Sequence, residues 1–241
     1  ASSLYSLFSR NQKLSENETT LPIDKFNPKV GDFEFGQEKR TDQTKSLSTH
    51  RQMSSILKAE ETPQHQPEGK DVWVYPSEQQ YFNAMKRKGW DAKEKDVPVV
   101  LAIHNAVNEQ GWAKVKEWEA LKGGTPRLKE FKGRPQDTSP RAWLKTNLLG
   151  YKPPFDRHDW LIESKGGKVT RYVLDFYAGK GTLERPVALY LDVRPALDSF
   201  QDAFHRLSMF TNKNFGFNPM KLIDSEEIEG EKVGPSSKQS R

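Results

Sequence analysis

The hydrophobic period of this chain changes from helical to extended part-way along, and that change sets the fold class. From about Val97 to Leu121, Val100, Ile103, Val107, Val115 and Trp118 recur at three, four and multiples of four, the spacing of one helix face. Beyond Trp160 the period is two. Tyr172, Leu174 and Phe176 fall on one side of a strand, and Arg171, Val173, Asp175 and Tyr177 on the other. "WLIES" (160–164), a "GGK" turn and "VTRYVLDFY" (169–177) predict a hairpin. "VALYLDV" (187–193) predicts a third strand after "AGKGTLERP". "RPALDSFQDAFHRLSMF" (194–210) returns to helical spacing, with Leu197, Phe200, Phe204 and Leu207 on one stripe. The class is therefore α+β: N-terminal helices packed with a small antiparallel β-meander, a closing C-terminal helix and disordered tails.

Punctuation refines this plan. Ser77 and Gln80 have capping-box spacing after Pro76, and Lys86, Arg87 and Lys88 precede the stop at Gly89. Gly123, Gly124, Thr125 and Pro126 end the second helix, and the basic, proline-containing segment 122–159 reads as loop-rich. The domain plan is a largely disordered polar region at 1–70 with 47–58 docked on the body, a folded domain at 71–212, and a tail at 213–241.

Composition removes whole classes of chemistry. The chain has no cysteine, so disulfides, thiolate-bound zinc, iron–sulfur clusters and cysteine nucleophiles are excluded. Any thiol chemistry must use a partner's thiol. No run approaches the roughly 20 apolar residues of a membrane span. Net charge is +5, but no nucleic-acid-binding motif accompanies the basic residues, and no nucleic acid is expected as partner. "GKGT" (179–182) is too short for a P-loop.

Four constellations remain. In "LAIHNAVNEQGW" (101–112), Asn105, Glu109 and Trp112 share one helix face, and His104 and Asn108 are i, i+4 neighbours on the adjacent strip. An imidazole on a rigid helix with a hydrogen-bonding shell suits an axial haem ligand or a general base; a core-edge histidine bonded to a carbonyl is the plainer alternative. In "PFDRHDWLI" (154–162), Arg157 can clamp a ligand carboxylate and His158 can bond a neighbouring Asp, or the run is a loop held by internal ion pairs. Trp73, Tyr75 and Pro76 form either an apolar pocket wall or a hydrophobic staple. Arg194 either forks onto a ligand or bridges Asp192 or Asp198.

Several stretches together resemble one family. "LSTHRQMSSI" (47–56), "WVYPSEQQYFNAMKRKG" (73–89), "IHNAVNEQGWAKVKEWE" (103–119), "SPRAW" (139–143), "PFDRHDW" (154–160), "RYVLDFY" (171–177) and "DVRPALDS" (192–199) look like the mitochondrial holocytochrome c synthases, also named cytochrome c haem lyases. The resemblance runs in order over about residues 47–210. It implies a lyase that binds haem b and apocytochrome c, with apocytochrome c1 as a further candidate partner. It would join the haem vinyl groups to the thiols of a Cys-Xaa-Xaa-Cys-His motif. By the same resemblance His104 is an axial iron ligand, and Glu109 lies where the apocytochrome's N-terminal helix is received. Asn105 joins these two as a catalytic candidate. Trp73, Tyr75, Pro76 and Asn108 join the haem-binding set, with Arg157, His158 and Arg194 as partners for the propionates. The implied location is peripheral, on the intermembrane-space side of the mitochondrial inner membrane. A non-catalytic haem- or cytochrome-binding module is the alternative. The Cys-Pro motifs common in N-terminal regions of that family are absent here.

Overall fold

A computed structural model describes residues 37–61, 66, 69–87, 89–179 and 188–219. Residues 1–36 and 220–241, most of the 61–70 stretch and most of the "GKGT" turn lie outside that set.

The capping box forms as the spacing predicts. Ser77 Oγ accepts from the Gln80 N–H at 3.2 Å, and Gln80 Oε1 accepts from the Ser77 N–H at 2.9 Å. Helix α1 (Glu78–Arg87) follows, and Gly89, at φ +76°, terminates it. Helix α2 (Val97–Glu119) is the longest element, with Pro98 in the first turn, where a missing N–H costs nothing. Its buried seam is Val97, Val100, Leu101, Asn105, Trp112, Val115 and Glu119. Of the five positions read from the sequence, Val100 and Val115 are buried, whereas Ile103, Val107 and Trp118 are half-buried at the seam's margin. Gly111 lets the helix approach the sheet: a Cβ there would meet Leu174 at 3.2 Å and Leu191 and Trp160 at 3.4 Å.

The sheet has four antiparallel strands in the order β3-β4-β5-β6: β3 (Arg127–Gly133), β4 (Asp156–Glu163), β5 (Val169–Ala178) and β6 (Leu189–Pro195). Segment 122–159 keeps loops at 123–126, 134–139 and 148–155 but is not loop throughout. It contains β3, the start of β4, and helix α3 (Pro140–Asn147), capped by Ser139 Oγ on the Ala142 N–H at 3.1 Å. Strand β3 escapes a hydrophobicity reading because it is an edge strand, and edges tolerate lysine and arginine. The inner sheet face, with Trp160, Ile162, Tyr172, Leu174, Phe176 and Val193, packs on Trp112 and Val115 of α2. Two shorter strands, β1 (Met53–Leu57) and β2 (Val72–Val74), pair antiparallel and add Ile56, Trp73 and Tyr75 to this core. Pairing with β2 thus ties β1 to the segment that leads into α1.

The closing helix, α4 (Phe200–Phe215), begins at its N-cap Ser199. Most of its expected apolar stripe faces outward instead: Leu197 is 62%, Phe200 96% and Leu207 54% exposed, and Phe204 is half-buried. The buried face is Asp202, His205, Ser208 and Met209. Asp202 accepts from the Ser199 hydroxyl at 2.8 Å, while His205 Nδ1 and Ser208 Oγ are buried without a hydrogen-bond partner. His205 Nε2 lies 2.8 Å from the Trp118 carbonyl, to which it donates, and the two rings meet edge to face at 5.3 Å.

Burial pulls the His205 pKa down from 6.5 to about 4, with the Lys122 charge adding to the effect. The unfolded chain therefore takes up this proton first. The stability that neutral His205 contributes is complete above pH 6.5 and is lost as pH falls toward about 4. Between pH 7 and 5 the loss should be about 2 kcal/mol. Urea denaturation at the two pH values checks this, and His205→Gln should lack this part of the decline.

Candidate functional site

His104 lies about two turns into α2, partly exposed. Two phenol rings flank its imidazole: Tyr75 at 6.5 Å, edge to face, and Tyr81 at 5.3 Å, tilted by 50°. Tyr75 arrives from the end of β2 and Tyr81 from α1, so the capped helix fixes one wall of the recess. Asn108, one turn further along α2, places Nδ2 3.1 Å from His104 Nε2 and 2.8 Å from the His104 carbonyl oxygen.

The neighbouring polar groups turn toward the N-terminal strand. Glu109 accepts from the Ser55 N–H at 3.0 Å, from the Ser55 hydroxyl, and from the Tyr75 hydroxyl at 3.0 Å. Burial, and then the Glu109 charge, raise the Tyr75 phenol far above its ordinary pKa, so it remains a hydrogen-bond donor. Asn105 is buried and donates to Gln52 Oε1 at 3.1 Å, while its own Oδ1 is buried without a hydrogen-bond partner. Arg51 rests its guanidinium on the carbonyls of Tyr75 and Val74, at 3.0 and 2.9 Å. Trp73 and Tyr75 lie in the core: Trp73 donates to the Leu128 carbonyl at 3.0 Å, and Pro76 is half-buried.

Strand alternation divides "PFDRHDW". His158 faces inward, 4.9 Å from the Phe176 ring, with Nε2 3.1 Å from Asp156 Oδ2. Asp156 faces the same way, and burial together with its charge pushes the Tyr81 phenol up to about 12. Arg157 points to the opposite sheet face, where it binds Asp159 at 3.0 Å alongside Arg134 at 3.1 Å and Arg171 at 2.8 Å. Arg194 is on that outer face as well, buried, and paired with Asp175 at 2.5 Å beneath Ser139. The structure thus gathers His104, Asn105, Asn108 and Glu109 about Tyr75, sets Trp73 against Phe131 and the Leu128 carbonyl, places His158 beside Phe176, and holds Arg157 and Arg194 on the outer sheet face. Tyr81, Arg51, Ser55 and Gln52 are neighbours that sequence spacing did not single out. Only the resemblance of their stretches placed them in play.

A family model described as cytochrome c/c1 heme lyase matches residues 4–124 and 120–210. The chain belongs to the cytochrome c/c1 heme lyase family. As a family member it is a lyase. A Schizosaccharomyces pombe protein provisionally named holocytochrome-c1 synthase is 43% identical over 176 residues, which cover 71% of this chain and 79% of that one. The human holocytochrome c-type synthase is 41% identical over 177 residues, covering 70% and 62% of the two chains. The Saccharomyces cerevisiae holocytochrome-c synthase is 35% identical over 215 residues, covering 79% and 77%. No solved structure matches the chain. Among the described residues, no helix of this heme lyase is long and apolar enough to cross a membrane.

Proposed function

We propose that this heme lyase joins the vinyl groups of haem b to the cysteine thiols of an apocytochrome c Cys-Xaa-Xaa-Cys-His motif, with His104 as an axial ligand of the substrate iron. The observation that carries the reading is the setting of His104. Its imidazole stands partly exposed on a rigid helix, between Tyr75 and Tyr81, with a nitrogen held by Asn108. Such an imidazole can present one lone pair in one direction.

Each thiol adds across one vinyl group. The sulfur bonds to one vinyl carbon, the thiol proton passes to the other, and nothing is expelled. The chain has no cysteine, so both sulfurs come from the apocytochrome. The protein's task is then positioning. His104 takes one face of the porphyrin and the substrate's own histidine takes the other, which sets the Cys-Xaa-Xaa-Cys run against the vinyls. Glu109 holds strand β1 and Tyr75 in place around the recess, and Asn105 ties Gln52 to the same helix. On this side of the sheet, Arg51 and His158 are the groups suited to the propionates. The catalytic unit is residues 71–212 with 47–58 docked on it. Apocytochrome c1 is a second candidate substrate, and the working location is the intermembrane-space side of the mitochondrial inner membrane.

Purification after expression with excess haem tests the ligand assignment. Wild type should show a Soret band, and His104→Ala and His104→Gly should retain at most about a tenth of it, with added imidazole restoring the glycine variant. Equal Soret absorbance in all three proteins would overturn it.

A further inference from the structure

We infer that Asn108 is a positioning residue that both prepares the His104 lone pair for iron and competes with iron for it. The inference rests on the reading of His104 as axial ligand.

Two contacts fix the chemistry. Asn108 Nδ2 lies 2.8 Å from the His104 backbone carbonyl and 3.1 Å from His104 Nε2. A carbonyl oxygen only accepts, so the amide atom facing it must be the nitrogen, and the amide orientation is settled. An amide nitrogen only donates, so Nε2 must be the bare, accepting nitrogen of the imidazole. The ring proton of the neutral imidazole then belongs on Nδ1. That is the tautomer whose Nε2 can take a metal. The Tyr75 and Tyr81 rings flank the imidazole and limit its rotation, so Nε2 remains the nitrogen on offer.

The same lone pair cannot serve Asn108 and iron together. When iron takes it, the amide keeps its bond to the His104 carbonyl and gives up one hydrogen bond. When iron leaves, the amide closes over Nε2 again. The four-residue spacing on α2 holds the competitor within reach throughout. A synthase must release a product whose haem it has ligated, and Asn108 lowers the cost of breaking that last bond.

Haem transfer from the full-length protein to excess apomyoglobin tests this, using wild type, Asn108→Ala, Asn108→Asp and His104→Ala. Asn108→Ala removes the competitor, so haem should leave about fivefold more slowly, the factor that one net hydrogen bond represents. With apocytochrome c present, attached product should accumulate on this variant. Asn108→Asp replaces a donor with an acceptor and favours a proton on Nε2. Haem should then leave at least about fivefold faster, with a weaker low-spin bis-imidazole spectrum. The opposite signs distinguish this role from a structural one. Rates that shift in the same direction in both variants, or in neither, would overturn the inference. If His104→Ala releases haem at the wild-type rate, the axial assignment itself fails, and that outcome is read separately.

Discussion

Glu119→Ala is expected to destabilise the fold by about 3–5 kcal/mol. Glu119 ends α2 at 0% exposure, where a carboxylate also opposes the helix dipole. It is tolerated because its oxygens are fully engaged. Lys122 Nζ donates at 2.8 Å, Ser164 Oγ at 2.6 Å and the Tyr172 hydroxyl at 2.5 Å. Burial alone would raise the Glu119 pKa, but Lys122, followed by the Ser164 and Tyr172 hydroxyls, overrides this and holds it below the ordinary range. The alanine variant leaves a largely buried ammonium and a buried phenol without their acceptor. Since the folded pKa is lowered, the carboxylate's contribution is present above the ordinary Glu pKa and lost as pH falls through the folded value. Urea denaturation at pH 7 should show the full deficit in Glu119→Ala and a smaller one in Glu119→Gln, which keeps an acceptor. A deficit under about 1 kcal/mol in the alanine variant would mean the triad contributes little.

His104→Ala is expected to reduce covalent haem attachment by at least about 100-fold while leaving the fold intact. The imidazole is partly exposed, and the core of the helix is carried by Leu101, Trp112 and Val115, so its removal opens no large cavity. What is lost is orientation. On the proposed ligation, the porphyrin would no longer be fixed relative to Tyr75, Tyr81 and strand β1. The incoming thiols then meet vinyl groups in many poses, and most of the advantage of proximity disappears. A variant with an unchanged denaturation midpoint but undiminished product would remove His104 from the mechanism. This contrasts with Glu109, whose carboxylate binds Ser55 and Tyr75, so its loss should loosen β1 as well as the recess.

Much of the fold was legible where local chemistry decides structure. The Ser77–Gln80 box, the hairpin around Gly166 and Gly167, and the long helix ending before Gly123 all follow from residues close in sequence. Legibility failed where tertiary partners decide. Strand β3 is charged because it is an edge. Helix α4 buries His205 and Asp202 and exposes Phe200, because the Trp118 carbonyl takes the His205 ring and the Ser199 cap takes Asp202. Pro153 and Pro154 suggested a loop at "PFDRHDW", yet the period-two rule sends Asp156 and His158 inward and Arg157 and Asp159 outward.

At the site, the i, i+4 pairing of His104 with Asn108 was visible, and so was the crowding of hydrogen-bonding groups around it. Their partners were not. Ser55 meets Glu109 across 54 residues, and Gln52 meets Asn105 across 53. No spacing rule reaches that far. The family resemblance identified the stretches, and only the packing of β1 and α1 on α2 shows which side chains meet.

The central claim is that this chain makes thioether bonds, rather than only holding haem or a cytochrome. The direct measurement is co-expression of the wild-type chain, in excess haem, with apocytochrome c and with a version whose two motif cysteines are alanine. Acid-acetone extraction then separates bound from attached haem. The account predicts acid-stable haem on the cysteine-containing substrate and none on the alanine version. Haem that extracts completely from both, while the wild-type chain itself carries a Soret band, would contradict it.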